Sequence, residues 1–82
     1  MTTEGEIATI VKRVCGVEIR DPGIDRKETL RLAIACLEGL RGDLSAKWEA
    51  AAEGSEERAA IMVAEAKNVA EDQLLSRALY AL

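Results

Sequence analysis

The stretch RKETLRLAIACLEGLRGDLSAKWEAAAE, residues 26–53, decides the fold because a single helical apolar stripe runs along its whole length. At 100° per residue, the side chains of this stripe fall within a sector about 120° wide. The stripe keeps its phase through Gly39 and Gly42, which predicts one continuous helix about 42 Å long. Two helices that meet at Gly42, with Asp43 as the second N-cap, are the alternative. The stripe consists of Leu30, Ala33, Ile34, Leu37, Leu40, Leu44, Trp48, Ala51 and Ala52.

A second apolar sector lies on the opposite side of the same helix, and nearly all of its residues are small. Small residues in register let another helix approach closely, which would explain two interior glycines that each cost about 1 kcal/mol relative to alanine. A helix that is apolar on two sides packs between two neighbours, either the other helices of the chain or a second copy. The sector consists of Leu32, Ala35, Cys36, Gly39, Ala46 and Ala50.

A shorter helix is expected before this one, over residues 4–15, and Gly16 supplies its C-terminal cap. Residues 17–24 hold the only proline and predict an extended connector that turns two apolar side chains inward. Asp25 is followed three residues later by Glu28, which is the spacing of a capping box. The long helix is therefore expected to start directly after Asp25.

The last helix is expected over residues 56–81, with Ser55 as its N-cap. Its apolar face consists of Met62, Val63, Ala66, Val69, Ala70, Leu74 and Tyr80, and its polar face of Glu65, Asn68, Glu71, Asp72 and Ser76. Leu75, Leu79 and Leu82 lie on the polar side, so the final turns are apolar nearly all round. We interpret these three aligned leucines as a contact surface for the first helix, a second copy or another protein.

Together these elements predict an all-α fold in one domain, residues 1–82. The fold is a small three-helix bundle: the long second and third helices form an antiparallel hairpin, and the first packs across them. A chain of this length buries only about 63% of its unfolded surface. Fourteen of the forty apolar residues are alanine, so the core is thin. We therefore expect a homodimer or a larger helical assembly.

The composition argues against several kinds of catalysis. The chain has no histidine, which removes the usual proton shuttle and the commonest transition-metal ligand. Cys15 and Cys36 are too few for a four-cysteine zinc site, and we interpret both as small buried apolar residues. We therefore expect a protein that is not an enzyme and that needs no cofactor or metal.

The net charge and the hydropathy of the chain limit the kinds of partner that we expect it to bind. The net charge of −4 is unfavourable for contact with nucleic-acid phosphates. A helix-turn-helix reader, the least favoured alternative, would use residues 43–53 as its recognition helix, and this segment carries three acidic residues against one lysine. No apolar run approaches the roughly 20 residues that cross a bilayer, so we expect no membrane contact and a cytoplasmic location.

The favoured function is a small protein–protein interaction module that regulates or inhibits a larger partner. Its predicted partner or oligomer interface consists of Leu75, Leu79, Leu82, Leu32, Ala35, Gly39 and Trp48. The alternative is an oligomeric module for an anionic small ligand such as a nucleotide. The basic residues predicted for that ligand are Arg26, Lys27, Arg31 and Arg41.

Overall fold

The structure is a computed structural model that describes residues 3–82, and these residues form three α-helices and no strand. The all-α prediction is confirmed for this part of the chain, while residues 1 and 2 of the predicted domain lie outside it. Helix α1 spans Thr3–Cys15, α2 spans Arg26–Ala50 and α3 spans Glu56–Tyr80. Helices α2 and α3 make the main contact, and α1 packs chiefly on α2. The molecule is elongated, 47 × 23 × 21 Å.

The helix ends follow from local hydrogen bonding. The Asp25 carboxylate accepts a hydrogen bond from the backbone N–H of Glu28 at 3.1 Å, which starts α2. The Ser55 hydroxyl accepts one from the N–H of Arg58 at 3.3 Å, which starts α3. Gly16 adopts a φ of 71° directly after α1, a conformation that only glycine adopts at little cost. These three residues fix the end of α1 and the starts of α2 and α3.

Helix α2 runs through Gly39 and Gly42 without interruption and ends at Ala50, three residues earlier than the apolar stripe implies. The Arg58 side chain explains this end. Its Nε donates to the carbonyls of Trp48 and of the C-cap residue, both at 3.2 Å. Two carbonyls that a longer helix would use internally are thus satisfied from α3.

The connector between α1 and α2 is not extended as the sequence suggests. Backbone hydrogen bonds from Asp21 to Glu18 at 3.0 Å and from Ile24 to Asp21 at 3.1 Å fold residues 17–24 into two successive turns. The turns carry Ile19 inward, where it is buried in the core. One of the two expected inward apolar contacts is therefore present, and it is made by a turned connector.

The core between α2 and α3 is built on a seven-residue repeat in both helices. On α3, the buried residues Ile61, Asn68 and Leu75 follow each other at this spacing. Residues spaced by seven lie on nearly the same side of a helix, so each set forms one seam. The matching residues of α2 and its C-cap are Leu30, Leu37, Leu44 and Ala51; all are buried except the half-buried Leu44.

Most of the apolar face of α3 that the sequence pattern selects points away from α2, although Leu74 is half-buried against the core. Met62 and Val63 are 59% and 71% exposed, whereas Asn68 from the polar face is buried. The seven-residue repeat explains this orientation, because it brings Ile61 and Leu75 onto the α2 seam and carries Asn68 between them. Several apolar residues of α3 are thus left uncovered by this chain.

The predicted surface of three leucines needs correction as a partner interface, although core contact of Leu75 and Leu79 agrees with its alternative as a contact surface for the first helix. Leu75 is completely buried in the core, and Leu79 is half-buried against it. Leu82 is 61% exposed. Leu75 belongs to the interior of this chain and offers nothing to a partner, so the expected stripe reduces to Leu82 and the exposed part of Leu79.

Leu75→Ala is expected to lower the free energy of unfolding by about 2–5 kcal/mol, because it leaves a cavity at a fully buried site. Leu82→Ala, the matched control at the exposed end, is expected to stay within about 0.5 kcal/mol of wild type. Urea unfolding followed by far-UV circular dichroism measures both. Equal effects of the two substitutions would contradict the placement of Leu75 in the core.

Candidate interaction surfaces

The outward side of α3 is largely apolar, and the exposed Gln73 and Arg77 also lie on it. Its apolar residues, here called the α3 outer face, are Ala59, Met62, Val63, Ala66, Val69, Ala70 and Tyr80. All seven are exposed, and on a helical projection they lie within about 60° of Ala66. Isolated exposed apolar residues are ordinary, but seven on one helix face form a patch of the kind that marks a contact surface.

Charges of opposite sign lie at the two ends of the α3 outer face. Glu56 is in the first turn of α3 and Arg77 is in the last turn. Both side chains are exposed, and neither takes part in an ion pair within residues 3–82. Each charge is therefore available to a group outside this chain.

A groove of about 540 Å³ runs between α1 and α3 beside this face. Ile10 of α1 and Ala70 and Leu74 of α3 are its apolar lining, and Lys67 and Arg77 lie along it. Because Ala70 also belongs to the α3 outer face, the groove and the face form one surface.

The outward side of α2 forms a second apolar surface, here called the α2 outer stripe. It consists of Leu32, Ala35, Cys36, Gly39 and Leu40, all of which are exposed. Leu32 is 54% and Leu40 48% exposed. A shallower groove of about 470 Å³ between the end of α1 and this stripe includes Val14 and Asp43. The small-residue sector predicted from the sequence is thus uncovered by the other two helices.

The structure distributes the predicted interface residues differently. Leu32, Ala35 and Gly39 lie together on the α2 outer stripe. Trp48 is half-buried at the opposite end of α2, where the Arg58 guanidinium lies 4.7 Å from the centre of its ring. Trp48 therefore holds the α2–α3 turn together through a cation–π contact.

The four basic residues predicted to hold an anion are not gathered into one site. Arg26 makes two hydrogen bonds to the Glu4 carboxylate, at 2.8 and 2.9 Å. Arg41 pairs with Asp72 on α3 at 2.5 Å. Lys27 and Arg31 are exposed on α2. Two of the four positive charges are thus neutralised by carboxylates of the same chain.

The two cysteines occupy different environments. Cys15 is half-buried, and burial together with the neighbouring Cys36 raises the pKa of its thiol. A raised pKa keeps the thiol protonated at neutral pH, which is unfavourable for a nucleophile. Cys36 is exposed, so its predicted burial is wrong. It lies on the α2 outer stripe because the first helix covers only the adjacent face of α2.

The described residues give no support for a metal site or a membrane-spanning helix. Within residues 3–82 there is no group of three or more His, Cys, Asp and Glu side chains that could hold a metal ion. Of the three helices, none combines the length and the apolar character needed to cross a bilayer. The two apolar surfaces are therefore the features of this fold that call for an explanation.

No protein family model, curated protein or solved structure is significantly similar to this chain. The function is therefore inferred from geometry and chemistry. The sequence pattern found the α2 outer stripe, but it missed the outward direction of the α3 outer face. The signal that could have revealed this direction is the shared seven-residue spacing of Leu30 and Leu37 with Asn68 and Leu75.

The ion pair between Glu4 and Arg26 predicts a pH-dependent contribution to stability. Hydrogen bonding to Arg26 lowers the pKa of Glu4 in the folded chain. A lowered pKa contributes stability above the ordinary glutamate pKa of about 4.3, and this contribution is lost as the pH falls through the folded-state value. The Glu4 side chain is 45% exposed, so solvent screening keeps the contribution below about 1 kcal/mol.

Glu4→Gln is accordingly expected to be less stable than wild type at pH 7 and equally stable near pH 3. Urea unfolding at both pH values measures this difference. Glu6→Gln is the matched control, since Glu6 lies in the same first turn and has no ion pair within residues 3–82. A Glu4→Gln deficit that persists unchanged at pH 3 would contradict the ion pair.

Proposed function

We propose that the chain is a small, non-catalytic, cytoplasmic interaction protein that regulates or inhibits a larger protein. The α2 outer stripe is its docking surface for that partner. The observation that carries the proposal is a set of exposed apolar and small residues on a chain whose own core is already closed by Leu30, Leu37 and Leu75. The stripe adds nothing to that core, so its apolar character is explained by contact with another molecule.

Gly39 supports this assignment most directly. It is exposed in the interior of α2, and a Cβ added there would meet no atom within 4 Å. Glycine in a helix interior costs about 1 kcal/mol relative to alanine, and packing within this chain does not require it. A helix of the partner that crosses α2 at Gly39 could approach closely because glycine has no side chain there. Small residues at a crossing point allow two helix axes to approach to about 8 Å.

The surroundings of Gly39 indicate the chemistry of the partner. Leu32 and Leu40 flank it with exposed branched side chains that favour apolar residues opposite them. Asp43, one turn further along α2, takes part in no ion pair within residues 3–82. The partner segment is therefore an apolar helix with a small residue at the crossing point and a basic residue near Asp43.

The pair Gly39→Gln and Ser45→Gln tests the proposal. Gly39 has open space around an added Cβ, and Ser45 is exposed on α2 about 120° from Gly39, away from the stripe. Gly39→Gln is expected to raise the free energy of unfolding by about 0.5–1 kcal/mol, since glutamine is a good helix former, and Ser45→Gln is expected to stay within about 0.5 kcal/mol of wild type. Gly39→Gln is expected to lose capture of the native-host partner by at least about tenfold, and Ser45→Gln to retain it.

The measurement is affinity capture from extract of the native host with quantitative mass spectrometry, beside urea unfolding of each variant. Stability that falls in neither variant while capture falls only in Gly39→Gln supports docking on the α2 outer stripe. Equal capture by the two variants would show that the stripe is not the docking surface.

A further inference from the structure

The orientation of α3 leaves the α3 outer face uncovered by α2. Inside the seam, the Asn68 side-chain amide donates to the Leu37 carbonyl at 2.9 Å, but Asn68 Oδ1 is buried without a partner. Outside, Met62 and Val63 remain exposed. Apolar side chains that stay in water are unfavourable, so the exposed face calls for a covering surface.

The charges at the ends of α3 identify what can cover it. Glu56 at the start and Arg77 at the end are both unpaired within residues 3–82. In a parallel pair of identical helices, Glu56 would lie next to Glu56 of the other copy and Arg77 next to Arg77, so like charges would be in contact. In an antiparallel pair, Glu56 of each copy would meet Arg77 of the other, and the helix dipoles would also oppose.

We infer that the α3 outer face pairs with the same face of a second copy of this chain, antiparallel, about a two-fold axis between Ala66 and Lys67. Residues 56 and 77 lie equally far from this midpoint, about 16 Å along the helix, so the two ion pairs form together. This surface is distinct from the α2 outer stripe, and the inference goes beyond the function proposed above.

Side-chain size agrees with this arrangement. Near the midpoint the two copies of Ala66 lie beside each other, offset by about 1.5 Å along the helix axis, which lets the two helices approach closely. Val63 then lies level with Ala70, and Ala59 lies level with Leu74, so larger residues meet smaller ones on both halves.

The groove between α1 and α3 gains an occupant in the same arrangement. Val63 of the second copy enters beside Ile10, Ala70 and Leu74, which form the apolar lining of the groove. Arg77 lies at the same groove, next to the position reached by Glu56 of the second copy. One placement of the second copy thus fills the groove between α1 and α3 and also pairs Glu56 and Arg77 with opposite charges.

The surface area buried in the contact sets the expected affinity of the dimer. Two 25-residue helices in a contact about 10 Å wide bury roughly 750 Å² in total. Stable protein interfaces bury about 1,200–2,000 Å², so the two grooves must add to the contact and the dimer remains weak. We expect dissociation constants in the micromolar range, which sets the concentrations for the test.

The test is sedimentation equilibrium between 5 and 500 μM of the wild type and charge-reversal variants. The wild type is expected to move from 8.9 kDa toward twice that mass as concentration rises. Glu56→Arg and Arg77→Glu, each of which creates two like-charge contacts in an antiparallel pair, are expected to weaken the dimer at least about tenfold. The double variant restores both contacts and is expected to recover dimerisation to within about threefold of the wild type.

Glu57→Arg is the matched control, because Glu57 lies in the same first turn, on the side away from the α3 outer face. It is expected to dimerise like the wild type, and circular dichroism confirms folding of every variant. A wild type that stays at 8.9 kDa up to 500 μM, or a double variant as weak as the single ones, would overturn the inference. Either result would leave partner capture through Gly39 unaffected.

Discussion

The hydrogen bond from the Asn68 side chain to the Leu37 carbonyl determines how α3 lies on α2. It is 2.9 Å long and lies inside a seam that is otherwise apolar. Burying an unpaired polar group costs about 1–3 kcal/mol, so a shift of α3 by one turn that left the Asn68 amide without an acceptor would be strongly unfavourable. Arg41 supports the same alignment through its ion pair with Asp72. The buried Asn68 contact thus favours one register of the hairpin, as buried asparagines do in coiled coils, and the Arg41 ion pair favours the same one.

The outward direction of the apolar residues follows from this register. With Asn68 against α2, residues about 180° away on α3 face solvent, and Met62, Val63 and Val69 are on or near that side. The same hairpin leaves the α2 outer stripe open, because α1 covers a different face of α2. The fold therefore encloses one small core and leaves two apolar surfaces exposed on separate helices.

Local signals in the sequence predict much of this fold. Asp25 and Ser55 are N-caps because their side chains can accept the first free backbone N–H groups, whatever packs nearby. The rotation of α3 is different, because it depends on which side chains of α2 lie opposite it. Average hydrophobicity favours Val63 over Asn68 as a core residue, and only the Leu37 carbonyl on the facing helix makes burial of Asn68 acceptable. The sequence pattern likewise places Trp48 at an interface, because its cation–π partner Arg58 comes from the next helix and periodicity within α2 does not reveal that contact.

The most direct test of this account is a solution NMR measurement of contacts across the α2–α3 seam. With isotope-labelled protein, the side-chain amide protons of Asn68 are expected to show nuclear Overhauser effects to backbone protons near Leu37, and slow exchange with solvent. The methyl groups of Val63 and Val69 are expected to show no intramolecular effects to Leu30 or Leu37. Strong effects from those methyl groups to the leucines, with a rapidly exchanging Asn68 amide, would show that α3 packs with its apolar face inward and would contradict the account.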